Sequence, residues 1–239
     1  MSSSQLHPIH ILHRTPWRDT SLLMEAFSPE HGRIGLVARG VRGKRSHKAA
    51  LLQPFQPLLA SWAGRGDLLS LHNVEPDGPP QRLLGAALNS GFYLNELLLR
   101  LLQRHDPHPE LYHAYRIALL RLQSGEQIEW TLRLFECELL EQLGYGLLLH
   151  CAADTGMALD PLQPYVYLPE RGPIPAEQAE GRVLQGKTLL RLAEAQWPAS
   201  EADPELLQEA KYLLRQSLAR YLGPKPIASR ALFQTMQSK

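Results

Sequence analysis

Cysteine is scarce in this sequence: Cys137 and Cys151 are the only two. Two thiols cannot build a disulfide framework or a four-cysteine zinc site, and their scarcity fits a reducing cytoplasm. Long apolar runs are missing as well. None approaches the roughly 20 residues that span a bilayer, so no membrane association is expected. The N-terminal stretch MSSSQLHPIHILHRTPW lacks a basic segment followed by an apolar core, so no secretory leader is expected either. Net charge is nearly absent, a formal +1, which excludes a chain that is basic throughout. No paired-carboxylate signature and no local nucleophile motif is present. Nothing here argues for an enzyme or for a cofactor.

What is present divides in two. The 239 residues are 44% hydrophobic and 21% charged, ordinary values for a globular chain with ample core. Short apolar segments near 7–14, 20–27, 33–39, 54–62 and 67–74 are separated by Thr15-Pro16, Ser28-Pro29 to Gly32, a basic loop, and Gly64-Arg65-Gly66. Five short strands with no helical pattern between them predict a small barrel of OB-fold size, a fold that often binds oligonucleotides; an SH3-like barrel has the same periodicity. In the segment RIGLVARGVRGKRSHKAALLQPFQPL, Ile34, Leu36 and Ala38 alternate with Gly35, Val37 and Arg39. Positive charge gathers there. Arg33, Arg39, Arg42, Lys44, Arg45 and Lys48 occur with no Asp or Glu between 33 and 48. A basic loop between strands is a seat for a polyanion, although a solvated surface loop would have the same composition. Trp17, Phe27, Phe55 and Trp62 are aromatics that could stack on bases or fill the barrel core.

Beyond Pro79-Pro80 the period becomes helical. Helices are expected from about 83 to 102, over 109–122 after Asp106-Pro107 and His108-Pro109, and over 126–143 before Gly144. Residues 145–185 have no sustained period and hold five prolines (Pro161, Pro164, Pro169, Pro173, Pro175), so an irregular segment is expected, with a short strand at Tyr165-Val166-Tyr167. Helices return over 186–196, from Asp203-Pro204 to Leu222, and over 227–236. The fold class expected is α+β: a five-stranded OB-fold barrel over 1–79 and a mainly α-helical domain over 80–239.

Three motifs invite chemistry and are set aside. Gly181 to Thr188 matches the phosphate-loop pattern literally, with Gly186-Lys187 in place. The residues before it, Pro175 to Glu180, cannot make the buried strand that aims backbone amides at a phosphate, so a nucleotide-dependent enzyme is the lesser alternative. His7, His10 and His13 are three apart on an expected strand and cannot share one face, so no metal is expected there. Cys137 falls within a helix, where a small packed hydrophobe is expected, and His150-Cys151 has no later cysteine to complete a metal site.

Four segments in order, GRIGLVARGVRGKRS with LQPF, GFYLNELLLRLL, LRLFECELLEQLGYG and YLGPKPIASRALF, resemble the RecO family of bacterial DNA repair proteins from about Leu12 to Phe233. The resemblance implies a cytoplasmic, nucleoid-associated recombination mediator of the RecFOR pathway. Such a protein binds single- and double-stranded DNA, anneals complementary strands and, with a RecR-like partner, helps load RecA recombinase onto coated DNA. It implies too that the acidic-hydrophobic C-terminal tail of the single-stranded-DNA-binding protein docks on the helical domain, with Arg133 in LRLFE as the expected contact. The DNA contacts expected are Arg33, Arg39, Arg42, Lys44, Arg45 and Lys48. The chain departs from many members at the four-cysteine zinc site after LGYG. Only Cys151 stands there, so the zinc-finger-like segment at about 145–185 lacks its ligands and is expected to hold its shape by packing or to be mobile. A protein-only scaffold is the remaining alternative.

Overall fold

A computed structural model describes residues 5–42, 48–195 and 203–229. The described residues form two compact units, one within 1–126 together with 225–229 and one within 127–224. In the first unit the strands β1 (His7–Trp17), β2 (Ser21–Ser28), β3 (Gly32–Ala38), β4 (Pro57–Ala63) and β5 (Leu68–Pro76) close a barrel in the order β1-β2-β3-β5-β4. All pairs are antiparallel except β3 with β5. That order, closed by a β1–β4 pairing and one parallel seam, is OB-like and decides between the two barrels that strand periodicity leaves open.

Alternation explains the barrel. Ile9 and Ile11 of β1, Leu22, Met24 and Ala26 of β2, and Ile34, Leu36 and Ala38 of β3 all enter one interior cluster. The intervening side chains His10 and Phe27 are also fully buried, because two helices cover the barrel's outer face. These are α2 (Gly85–Leu101) and α3 (Pro109–Ser124), which follow the single turn α1 (Lys48–Leu51) in the chain. Phe27 packs on Tyr112 and Tyr115 of α3, and His10 bonds the Tyr112 hydroxyl at 3.0 Å. Tyr115 donates to Asn95 (2.6 Å), which donates to the Leu12 carbonyl (2.9 Å). A satisfied polar chain of this kind fixes register where apolar packing alone would slide. The expected division at residue 79/80 follows the change of period, whereas the compact unit extends through both helices to Glu126.

The same unit takes back residues 225–229. Glu96 of α2 accepts the Ala228 and Ser229 backbone N–H groups (2.8 Å each) and the Ser229 hydroxyl (2.7 Å), and Arg100 donates to the Pro226 carbonyl at 3.2 Å. Burial would raise the Glu96 pKa, but these bonds and Arg100 outweigh it and hold the carboxyl below its usual value. Most of the helix expected over 227–236 lies outside the described residues.

The second unit contains α4 (Ile128–Gln142), the strands β6 (Pro164–Leu168), β7 (Gly172–Pro175) and β8 (Val183–Gln185), and the helices α5 (Gly186–Ala193) and α6 (Pro204–Leu222). The segment 145–185, expected to be irregular apart from a short strand at Tyr165-Val166-Tyr167, has that strand as β6 and is more regular than expected. It holds a three-stranded antiparallel sheet in the order β7-β6-β8, with Tyr165, Val166, Ile174 and Leu184 buried. Strands of three to five residues interrupted by prolines are too short to show a period, and the prolines sit at strand ends or on edge strands, where no N–H is needed. The segment holds its shape by packing and by bonds such as Leu148 N–H to the Tyr167 hydroxyl, 3.1 Å. Asp203 caps α6 through the Glu205 N–H (3.0 Å), with Pro204 in the first turn. Among the described residues no helix is long and apolar enough to cross a membrane.

Candidate nucleic-acid interface

One end of the barrel collects cations. The β1–β2 turn places Arg18 on the surface, and the chain leaving β3 lies beside it, because Leu22 and Ala38 are register partners. Arg42 donates its backbone N–H to the Thr20 carbonyl (2.9 Å) and its Nη1 to the Arg18 carbonyl (3.3 Å). Between Arg39 and Arg42, Gly40 takes a left-handed φ of 69° and Val41 returns into the barrel core. A Cβ at Gly40 would meet nothing, so the conformation alone calls for glycine there. Burying Val41 turns its neighbours outward, and Arg39 and Arg42 are both exposed. Lys48 is exposed at the start of α1, and Arg14 ties that turn to β1 by donating to the Leu52 carbonyl at 3.1 Å. Lys44 and Arg45 lie outside the described residues.

Trp17, 41% exposed, stands at the same end, where it pairs with Ser21 at the hairpin tip. The other aromatics are occupied. Phe27 is buried against α3, Phe55 packs on Phe92, and Trp62 stands against His7 and His31. Sequence reasoning missed Arg14 and Arg18. It ended the first strand at Thr15-Pro16, three residues before the actual turn, so the second basic contribution to this end did not register.

Two of the expected contact residues are engaged inside the fold. Arg33 starts β3 at the opposite end of that strand, its Nη1 bonded to the Leu99 carbonyl and its Nε 3.9 Å from Glu25. Glu25 also pairs with Arg104. Arg33 therefore fastens the barrel to α2 and does not belong to the cationic end. Arg133 is only 4% exposed and donates to Glu136 at 2.8 Å. It is one of the buried residues of α4, along with Trp130, Phe135 and Leu139.

The phosphate-loop match is closed by the fold. The Gly186 N–H goes to the Gln163 carbonyl (2.9 Å) and the Lys187 N–H to the Pro161 carbonyl (3.0 Å). The Gln185 N–H and the Thr188 hydroxyl both go to the Glu209 carboxylate. A buried carboxylate thus takes the place a phosphate would need at this helix start. Burial pushes the Cys137 thiol up to about 12, the opposite of what a nucleophilic thiolate requires.

Comparison with known proteins agrees with the architecture. Residues 7–79 match the family model for the recombination protein O N terminal part, and residues 85–231 match the one for the C terminal part. A DNA repair protein RecO of Nitrosococcus oceani is 48% identical over 234 residues, covering 97% of this chain and 94% of that protein. RecO proteins of Coxiella burnetii (47% over 228 residues, 95% of this chain and 96% of that protein) and Pseudomonas aeruginosa (45% over 233 residues, 98% and 96%) are similarly close. With both halves of the chain matched and a barrel of the expected order in place, the chain belongs to the RecO family of DNA repair proteins, recombination mediators and not enzymes.

Proposed function

We propose that the chain mediates recombination by gripping the phosphate backbone of DNA at the cationic end of its barrel and annealing complementary strands there. The observation that supports this most is the placement of exposed Arg18, Arg39 and Arg42 together at one end of an OB-like barrel in a chain of net charge +1, with Trp17 exposed at the same hairpin and Lys48 exposed on the turn that Arg14 ties to β1. Lysine and arginine that replace condensed counterions make binding fall with salt, at a slope of about 0.7 per phosphate contact on single strands. A ring such as Trp17 adds roughly 1–3 kcal/mol per stacked base without selecting sequence. No covalent step is involved. Holding two strands close with their charge neutralised is sufficient for annealing.

The test is binding of a single-stranded oligonucleotide as a function of salt. Arg39→Ala/Arg42→Ala/Lys48→Ala should weaken binding and flatten the slope by about two. Strand annealing by the same variant should slow, with or without coating protein. Unchanged affinity and slope would remove the cationic end from the mechanism.

The helical unit is proposed to receive the acidic-hydrophobic tail of the single-stranded-DNA-binding protein, so that the mediator, with a RecR-like partner, reaches coated DNA and helps load RecA recombinase. Arg133 is turned inward, so a more accessible seat is favoured. A groove of about 390 Å³ is lined by Tyr145, Leu148, Tyr212 and Tyr221, with Arg171 beside an Arg220–Glu170 ion pair. Tyr145 and Tyr221 stack at 3.8 Å. Apolar walls beside an arginine complement an acidic peptide that ends in apolar residues. Arg171→Glu should abolish binding of the tail peptide. Full binding by that variant, with loss in a folded Arg133→Ala, would return the contact to Arg133.

A further inference from the structure

The barrel end opposite the cationic one holds a cluster that DNA binding does not use. His7 opens β1, and Glu30 and His31 form the β2–β3 turn. The His7 Nδ1 lies 3.1 Å from Glu30 Oε2, and the His7 and His31 rings meet edge to face with centroids 4.6 Å apart. Donor atoms of all three residues lie within 4.8 Å of one another. Trp62 of β4 backs both imidazoles, at 5.4 Å from His7 and 5.2 Å from His31. Among the described residues His31 Nε2 is buried and has no hydrogen-bond partner. Leaving such an atom unsatisfied is costly, and a bound cation would satisfy it.

We propose that His7, Glu30 and His31 form a binding site for a divalent transition cation of the zinc class. Two imidazoles and one carboxylate are a borderline donor set that suits zinc, cobalt and nickel better than magnesium or calcium. Bond lengths near 2.0–2.1 Å place tetrahedral ligand atoms about 3.3 Å apart. The His7–Glu30 pair is already at that spacing, and His31 needs to approach by about 1.5 Å at most, within the reach of a ring rotation. Gly32, next in the turn, has a left-handed φ of 63° and lies against the Asp106 backbone. The turn is therefore held in place while the His31 ring moves. Three protein ligands leave a fourth position for water. The site would clamp the first residue of β1 to the β2–β3 turn, and it differs in residues and in unit from a four-cysteine site after Gly146.

The experiment uses the full chain, stripped with chelator and titrated with zinc chloride against a chromophoric competitor, with tryptophan emission recorded in parallel. One equivalent should bind with micromolar or tighter affinity and change the emission through Trp62. Glu30→Gln, at an exposed position that should fold normally, should weaken binding at least tenfold, and His31→Ala further. Cys151→Ala should bind as the unaltered chain does. Absence of binding, or equal binding by Glu30→Gln and His31→Ala, overturns the proposal. Cobalt(II) gives a second reading: tetrahedral visible absorption that the His31→Ala chain lacks.

Discussion

At the scale of single residues, His10 makes the barrel sensitive to acid. It is fully buried between strand and helix, and burial, with Arg116 adding to it, lowers its pKa from 6.5 to about 3. Between those values the unfolded chain binds a proton that the folded chain does not, so stability rises with pH across that window. Going from pH 6.5 towards 4, the first unit should lose stability from this group, on the order of 1 kcal/mol per pH unit at most. Urea denaturation of the unaltered chain and of His10→Gln measures it. The variant should have a flatter stability profile between pH 4 and 6.5, and parallel profiles would mean that other groups set the acid response. His10 shares a strand with His7 and His13, and the three have three environments: part-buried against Glu30, sealed against Tyr112, and exposed. Spacing of three along a strand already implied that they would part company. It could not imply that His7 would meet His31 from the next hairpin.

At the scale of elements, α2 anchors two distant stretches. Its Asn95 bonds the Leu12 carbonyl in β1, and its Glu96 and Arg100 receive residues 225–229. Ile227 and Ser229 are buried there, 6% and 5% exposed. A chain ending at Pro224 loses this contact. Hydrogen exchange should then show faster exchange in α2 amides, while amides of α4 and α6 keep their protection, because residues 127–224 stay whole. Equal loosening of all three helices would contradict the division into units. Asn89, Ser90, Asn95 and Glu96 interrupt the α2 apolar stripe, and such a face needs polar partners or water. The structure supplies them for Asn95 and Glu96. What could not be read was their distance along the chain, 83 positions for Asn95 and up to 133 for Glu96.

At the scale of the molecule, strand alternation foretold the barrel, since it is a local pattern. Ile34, Leu36 and Ala38 do share the interior. Burial of a charged side chain leaves no local trace in a sequence. Arg33 reads as one more cation of the loop until Leu99 and Glu25 are placed beside it. Arg133 reads as a surface arginine until α4 turns it inward. The prolines of 161–175 read as an irregular segment with one short strand, because the other strands of so small a sheet have no period to detect.

The return of residues 225–229 to α2 also gives the chain a timetable. The second unit is an insertion in the first, so α2 is made long before its last partners exist. Glu96 and Ser229 are 133 positions apart. At a synthesis rate of about 5–20 residues per second, α2 waits roughly 7–27 s for them. Residues 127–224 are complete before the unit that precedes them. The part of the chain made first is therefore the last to be finished, and a ribosome that stalls late in the message releases a barrel whose helical cover is not yet fastened.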